Sequence, residues 1–166
     1  MTSAESACVA LKTNVEPVRV AGTPRPVENG DCEFTSVRRK SVDDVLPAGP
    51  ITEYDIIRVL PFGGRVVAVT MEGALLARVL EMGENNQGLG GYLHSSGAQR
   101  RKDGWHVGDK PLDPVARYRV ALSDFLLTGG EVNLGFLTRT NPQVQDVREL
   151  RDIRHALIEE LKATYR

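Results

Sequence analysis

Apolar positions change their spacing several times along this chain, and each change marks an element. Val15-Glu16-Pro17-Val18-Arg19-Val20 alternates and predicts a strand, with Pro17 placing it at a sheet edge. Gly22 to Asp31 is broken by proline and glycine and predicts a loop, and Phe34 to Val37 a second short strand. Pro47-Ala48-Gly49-Pro50 predicts a turn. Thr52 then opens a helix with Asp55 in a capping-box arrangement, and Ile56, Val59 and Leu60 face one way. Pro61 ends that helix. Arg65 to Val69 is β-branched and predicts a strand. Thr70 is the expected cap of a second helix, whose apolar stripe is Leu75, Leu76, Val79 and Leu80.

The polar stretch Gly83 to Gly91 predicts a loop, and Tyr92-Leu93-His94 a short strand. Trp105-His106-Val107 leads into Gly108-Asp109-Lys110-Pro111, a hairpin-like turn. Arg117 to Leu122 alternates as a strand, and Ser123 to Leu127 predicts a short helical turn. Val147 to Tyr165 predicts a closing helix with Leu150, Ile153, Leu157 and Leu161 on one face. Strands and helices mix without strict alternation, so the fold class expected is α+β, mixed sheet with packed helices. At 166 residues the chain is one domain, read as a mobile lead over residues 1–14 and a single domain over 15–166.

Composition narrows the partners. The net charge is −1, without the basic balance usual in nucleic-acid binders. The runs Arg38-Arg39-Lys40 and Arg100-Arg101-Lys102 read as solvated loop charge. No apolar run approaches the roughly 18 residues that cross a bilayer. Met1 to Thr13 lacks the pattern of a signal peptide. Cys8 and Cys32 neither demand nor exclude a bridge, so the compartment stays open.

The candidate chemistry lies in two segments, Leu60-Pro61-Phe62-Gly63-Gly64 and Phe125-Leu126-Leu127-Thr128-Gly129-Gly130-Glu131. Each sets a Phe beside a pair of glycines, which let the backbone turn sharply and approach a ligand. With only four Phe in the chain, two on Gly-rich turns is a large share. Two such rings suit a flat partner held between their faces, and the acid six residues after the second suits hydroxyls.

The pair resembles the C-terminal, substrate-binding domain of the 5'-nucleotidase family, metallophosphoesterases that act on nucleotides. Further landmarks follow in the family's order: Leu46-Pro47-Ala48-Gly49-Pro50-Ile51-Thr52, then Gly90-Gly91-Tyr92-Leu93-His94-Ser95-Ser96-Gly97, Pro111-Leu112-Asp113-Pro114, Tyr118-Arg119-Val120-Ala121, Asn141-Pro142 and Leu150-Arg151-Asp152-Ile153-Arg154. The resemblance is best over residues 42–162. It implies that Phe62 and Phe125 sandwich a nucleobase, and that the acid after the double glycine, here Glu131 where Asp is usual, binds the ribose. Gly63 and Gly130 shape the same site. Gly64 stands where many members carry an Asn that bonds the base. The family's upstream Asn-x-Gly-x-Ile-Arg motif is not found, which reads as an internal deletion before Val42; the phosphate or ribose end of the site is then expected to be weakened, the alternative being that Arg38 or Arg39 stands in.

Phosphomonoester hydrolysis calls for clustered His and Asp ligands around two metals. His94, His106 and His155 have no such spacing. No catalytic residue, metal ligand or cofactor is therefore assigned to this chain. The resemblance implies divalent metals in a separate metallophosphoesterase domain and a family usually exported or at the cell surface. The expected function is binding of a nucleoside or nucleotide without cleavage. The alternative is a fragment, or an interaction module that kept the fold and lost the ligand.

Overall fold

The computed structural model describes residues 8–13 and 50–164. The expected strands at Val15 to Val20 and Phe34 to Val37, the loop between them, and most of the turn at Pro47 lie outside the described residues. Within them, α1 (Glu53–Val59) begins as its sequence dictates. The Thr52 backbone N–H and hydroxyl donate to Asp55 at 2.8 and 2.6 Å, and the Asp55 N–H donates back to the Thr52 hydroxyl. Those bonds, the hydroxyl's first, hold the Asp55 carboxyl below its ordinary range. A lowered folded value means the cap contributes fully above the ordinary range and is lost as pH falls through the depressed one.

Among the described residues five strands make the main sheet: β1 (Cys8–Thr13), β2 (Arg65–Glu72), β3 (Leu93–Ser96), β7 (Arg117–Ser123) and β8 (Val144–Asp152). Their order across it is β3-β1-β7-β2-β8. β1 runs parallel to β7 and the other pairs are antiparallel, so the sheet is mixed. A separate antiparallel ribbon holds β4 (Ala98–Arg101), β5 (Gly104–Val107) and β6 (Lys110–Pro111). Trp105 packs from this ribbon onto the main core, and its indole N–H donates to Glu81.

Alternation along β2 sends side chains to both faces. Val67, Val69 and Met71 join Leu75, Leu76, Val79 and Leu80 of α2 (Gly73–Asn85) in the larger core. Val66, with Ala121 of β7, meets Ile56 of α1, Leu60 just after it, and Ile153 of α3 (Ile153–Thr164) in the smaller one. A strand buried on both faces explains the continuous apolar run from Val66 to Val69.

Three expectations are corrected. The lead over residues 1–14 was expected to be mobile, but Cys8–Thr13 form β1 and close the gap between β3 and β7. The apolar run Cys8-Val9-Ala10-Leu11 suits a strand with neighbours on both sides. Thr70 does not cap α2. It stays in β2, which extends to Glu72, and its hydroxyl bonds Asp146. The first N–H groups of α2, at Gly73 and Ala74, donate instead to the carbonyls of Ala116 and Pro114, both at 2.8 Å. The closing helix begins at Ile153, because Val144 to Asp152 pair along the free edge of β2. Leu150 accordingly lies exposed on β8, while Leu157 and Leu161 pack beside Ile153. Asp152 accepts from the Arg154 N–H at 2.8 Å and fills the capping role at the strand–helix junction.

Candidate functional site

Register brings the two aromatic turns together. β2 starts just after Gly64 and β7 ends just before Asp124, and the strands pair antiparallel with Val66 opposite Ser123. Both turns therefore emerge at the same end of the sheet. The first leaves α1 at Leu60 and turns through Gly63 and Gly64, whose φ angles of 62° and 113° suit glycine. The second is a 3-10 turn, Asp124–Leu127, closed by the Thr128 N–H on the Phe125 carbonyl at 3.0 Å. They touch: a Cβ on Gly64 would lie 3.0 Å from the Asp124 Oδ1.

Phe62 is 70% exposed on its turn. Phe125 is half-buried and, among the described residues, is part of neither apolar core. Its ring lies against Gly130, where a Cβ would come within 3.2 Å of the ring's Cζ. Phe62, Gly63, Phe125 and Gly130 thus share one end of the sheet. Glu131 follows Gly130 and is half-buried, its Oε1 accepting the Val132 N–H at 3.1 Å and abutting Gly91. Arg38 and the segment before Val42 lie outside the described residues.

Sequence reasoning missed the residues that hold these turns. Arg154 donates through Nε to the Leu60 carbonyl at 2.8 Å and through a terminal nitrogen to the Pro61 carbonyl. Its guanidinium sits 3.2 Å from where a Cβ on Gly63 would be. The Ile153 N–H adds a bond to the Gly64 carbonyl at 3.0 Å. The start of α3 is thereby a clamp on the Phe62 turn, and nothing in the spacing around Arg154 signals it. Arg154→Ala is expected to cost about 1–3 kcal/mol, the range for losing charge-assisted bonds to carbonyls, read as a lower urea midpoint. Arg154→Lys, a point charge without the fork, should recover only part of the loss.

Asn86 is the second such residue. It lies at the end of α2, fully buried, at 0% exposure. Its Nδ2 donates to the Gly91 and Val132 carbonyls at 3.1 and 2.8 Å, and its Oδ1 accepts from Asn133 at 2.8 Å. One side chain ties the glycine loop before β3 to the loop that carries Glu131. The sequence signal was present, since an Asn at a helix end is a common C-terminal residue, but its long-range partners were not readable.

His94 meets the Tyr92 ring edge-on with centroids 4.8 Å apart. His106 is buried beneath the ribbon near the Gly104 carbonyl and Asp103. His155 lies exposed on α3. Among the described residues no three His, Cys, Asp or Glu side chains gather into a group that could hold a metal ion. No described helix is long and apolar enough to cross a membrane.

An α+β domain that gathers two Phe–Gly turns at one sheet end defines a class, and comparison with known proteins agrees. The family model for the 5'-nucleotidase C-terminal domain matches residues 28–138. The chain belongs to that family. Protein UshA of Yersinia enterocolitica is 30% identical over 128 residues, covering 67% of this chain and 23% of that protein. Among solved structures, the 5'-nucleotidase precursor of Thermus thermophilus superposes with a TM-score of 0.57 at 19% identity, over 95% of this chain and 29% of its own. The NAD nucleotidase of Haemophilus influenzae gives 0.52 at 20% identity, over 68% of this chain and 24% of its own. The two structures establish the fold. The chain spans less than a third of each relative's length.

Proposed function

We propose that this chain is the nucleoside- or nucleotide-binding domain of a 5'-nucleotidase-type phosphoester hydrolase. Phe62 and Phe125 hold the base, Gly63 and Gly130 let the backbone approach it, and Glu131 takes ribose hydroxyls. The hydrolytic metals belong to a metallophosphoesterase domain, so this chain by itself binds and does not cleave. The observation that carries the reading is the sheet register: Val66 opposite Ser123 delivers two Phe-bearing turns to one end, with Phe62 70% exposed and Phe125 outside both cores. An exposed ring on a glycine turn contributes nothing to packing and is available for stacking. Membership of the 5'-nucleotidase C-terminal-domain family supports the same ligand class.

Base–aromatic stacking contributes about 1–3 kcal/mol per base and tolerates any base. Calorimetric titration of adenosine into the purified chain tests the reading. Phe62→Ala should leave the melting temperature unchanged, since the ring is exposed, and weaken binding by about tenfold, the equivalent of about 1.4 kcal/mol. Phe125→Ala should weaken it at least as much. No heat at millimolar adenosine from a folded chain, or wild-type affinity in either variant, contradicts the proposal.

A further inference from the structure

Asp124 stands between the two aromatic turns, immediately before Phe125 and against Gly64. It is half-buried. Its Oδ1 accepts the Phe125 backbone N–H at 2.8 Å and lies 3.4 Å from the Ser123 hydroxyl. Among the described residues Oδ2 has no hydrogen-bond partner. The two bonds on Oδ1 fix where the carboxylate sits, so its other oxygen is presented in a set direction. A carboxylate oxygen held in place and left without a protein donor is an acceptor ready for a ligand.

The neighbouring turn is built around this carboxylate. A Cβ at position 64 would meet Asp124 Oδ1 at 3.0 Å, closer than such contacts normally come, and the φ of 113° at Gly64 is strained for any L side chain. Position 64 and Asp124 compete for one space, and here Asp124 has it. The first turn therefore offers no side chain beyond Phe62 and Arg65 to read a ring's edge.

We propose that Asp124 is the specificity-determining residue of the site, its Oδ2 accepting a hydrogen bond from an N–H on the edge of a base stacked at Phe62 and Phe125. The inference rests on the binding reading above. A carboxylate only accepts, so the site favours rings that present an amino or imino N–H over rings whose edge carries acceptors alone. Stacking supplies affinity without choice of base, and Asp124 adds the choice.

The test compares three nucleosides of nearly equal stacking area on the intact chain: adenosine with its amino group, inosine with its ring N–H, and purine riboside with neither. The wild type is expected to bind the first two about tenfold more tightly than purine riboside, as expected for one charge-assisted hydrogen bond. Asp124→Asn keeps an oxygen for the Phe125 N–H and adds an NH2 donor. It should retain the fold and erase the preference, with purine riboside gaining and adenosine losing. Equal wild-type affinity for all three, or a preference unchanged in Asp124→Asn, overturns the inference and leaves the aromatic clamp standing. Absence of binding by any of the three overturns both. If Asp124→Asn does not fold, the wild-type comparison decides alone, because a missing preference for N–H donors overturns the proposal.

Discussion

Asn86→Ala is expected to lower the stability of the domain by roughly 3 kcal/mol. The native side chain, itself fully buried, donates to two carbonyls, Gly91 and Val132, and accepts from Asn133; the bond to Gly91 is buried and the other two are part-buried. Alanine removes the hub and leaves three polar groups searching for partners. An unsatisfied buried group costs about 1–3 kcal/mol, reduced where water enters the space vacated. Asn86→Asp is expected to be worse than alanine. It faces two carbonyl oxygens with a carboxylate in place of an amide donor, and buries charge without a cation. Urea denaturation reads both. The same hub positions Gly91 against Glu131, so any residual nucleoside affinity in the alanine variant should fall several-fold even where it remains folded. A loss below about 1 kcal/mol would mean the two loops are held by something other than this side chain.

The second large effect is expected at Gly73. A Cβ there would sit 2.0 Å from the Asp113 carbonyl oxygen, 2.9 Å from its carbon and 3.0 Å from the Tyr118 ring. Two of these atoms are backbone, so no rotamer change relieves the clash. The same loop supplies the carbonyls of Pro114 and Ala116 that satisfy the opening N–H groups of α2. Pushing the loop away to fit a methyl therefore breaks the helix start as well. Overpacking of this kind costs about 1–3 kcal/mol, and each lost hydrogen bond about 1 more. Gly73→Ala is expected to lower the melting temperature by about 10 °C, on the scale of about 3 °C per kcal/mol for a domain of this size. Helix propensity predicts the opposite sign, a gain of about 1 kcal/mol, so the experiment separates the two effects cleanly.

Gly73 also shows where local sequence rules stop. Thr70 followed by an apolar helical stripe is a good capping signal, and it fails because the loop around Asp113 reaches α2 first with backbone acceptors. That contact spans about forty residues and leaves no local mark. Val147 to Asp152 fail for a related reason. Val147, Leu150 and Ile153 satisfy helical spacing, but the open edge of β2 offers a ladder, and Arg65 to Met71 pair with Asp152 to Val144. Pairing across the sheet overrides the period.

Elements whose signals are local are legible in the sequence. The capping box at Thr52, the stop at Pro61, the β-branched run at Val66 and the hairpin before Pro111 each depend on a few adjacent residues. The family likeness is legible too, because its landmarks are short motifs in a fixed order. Phe62, Gly63, Phe125, Gly130 and Glu131 can be named from those motifs. The supporting roles of Arg154 beneath the Phe62 turn, Asn86 beside Glu131 and Asp124 between the two turns cannot be read from them, although Arg154 lies within the landmark Leu150 to Arg154. Arg154 acts through the Leu60 carbonyl and Asn86 in part through the Val132 carbonyl, both of distant segments and of a kind any sequence would present.

The central claim is that the two Phe-bearing turns hold one base between them. The most direct measurement is a nuclear Overhauser experiment on the chain with adenosine bound, using protein labelled only at phenylalanine. The chain has four, Phe34, Phe62, Phe125 and Phe136. Cross-peaks are expected from the two carbon-bound ring protons of adenine to the rings of Phe62 and Phe125, with upfield shifts of both base protons from the stacked faces. Cross-peaks to one of these rings alone, or to neither while adenosine is bound, would contradict it.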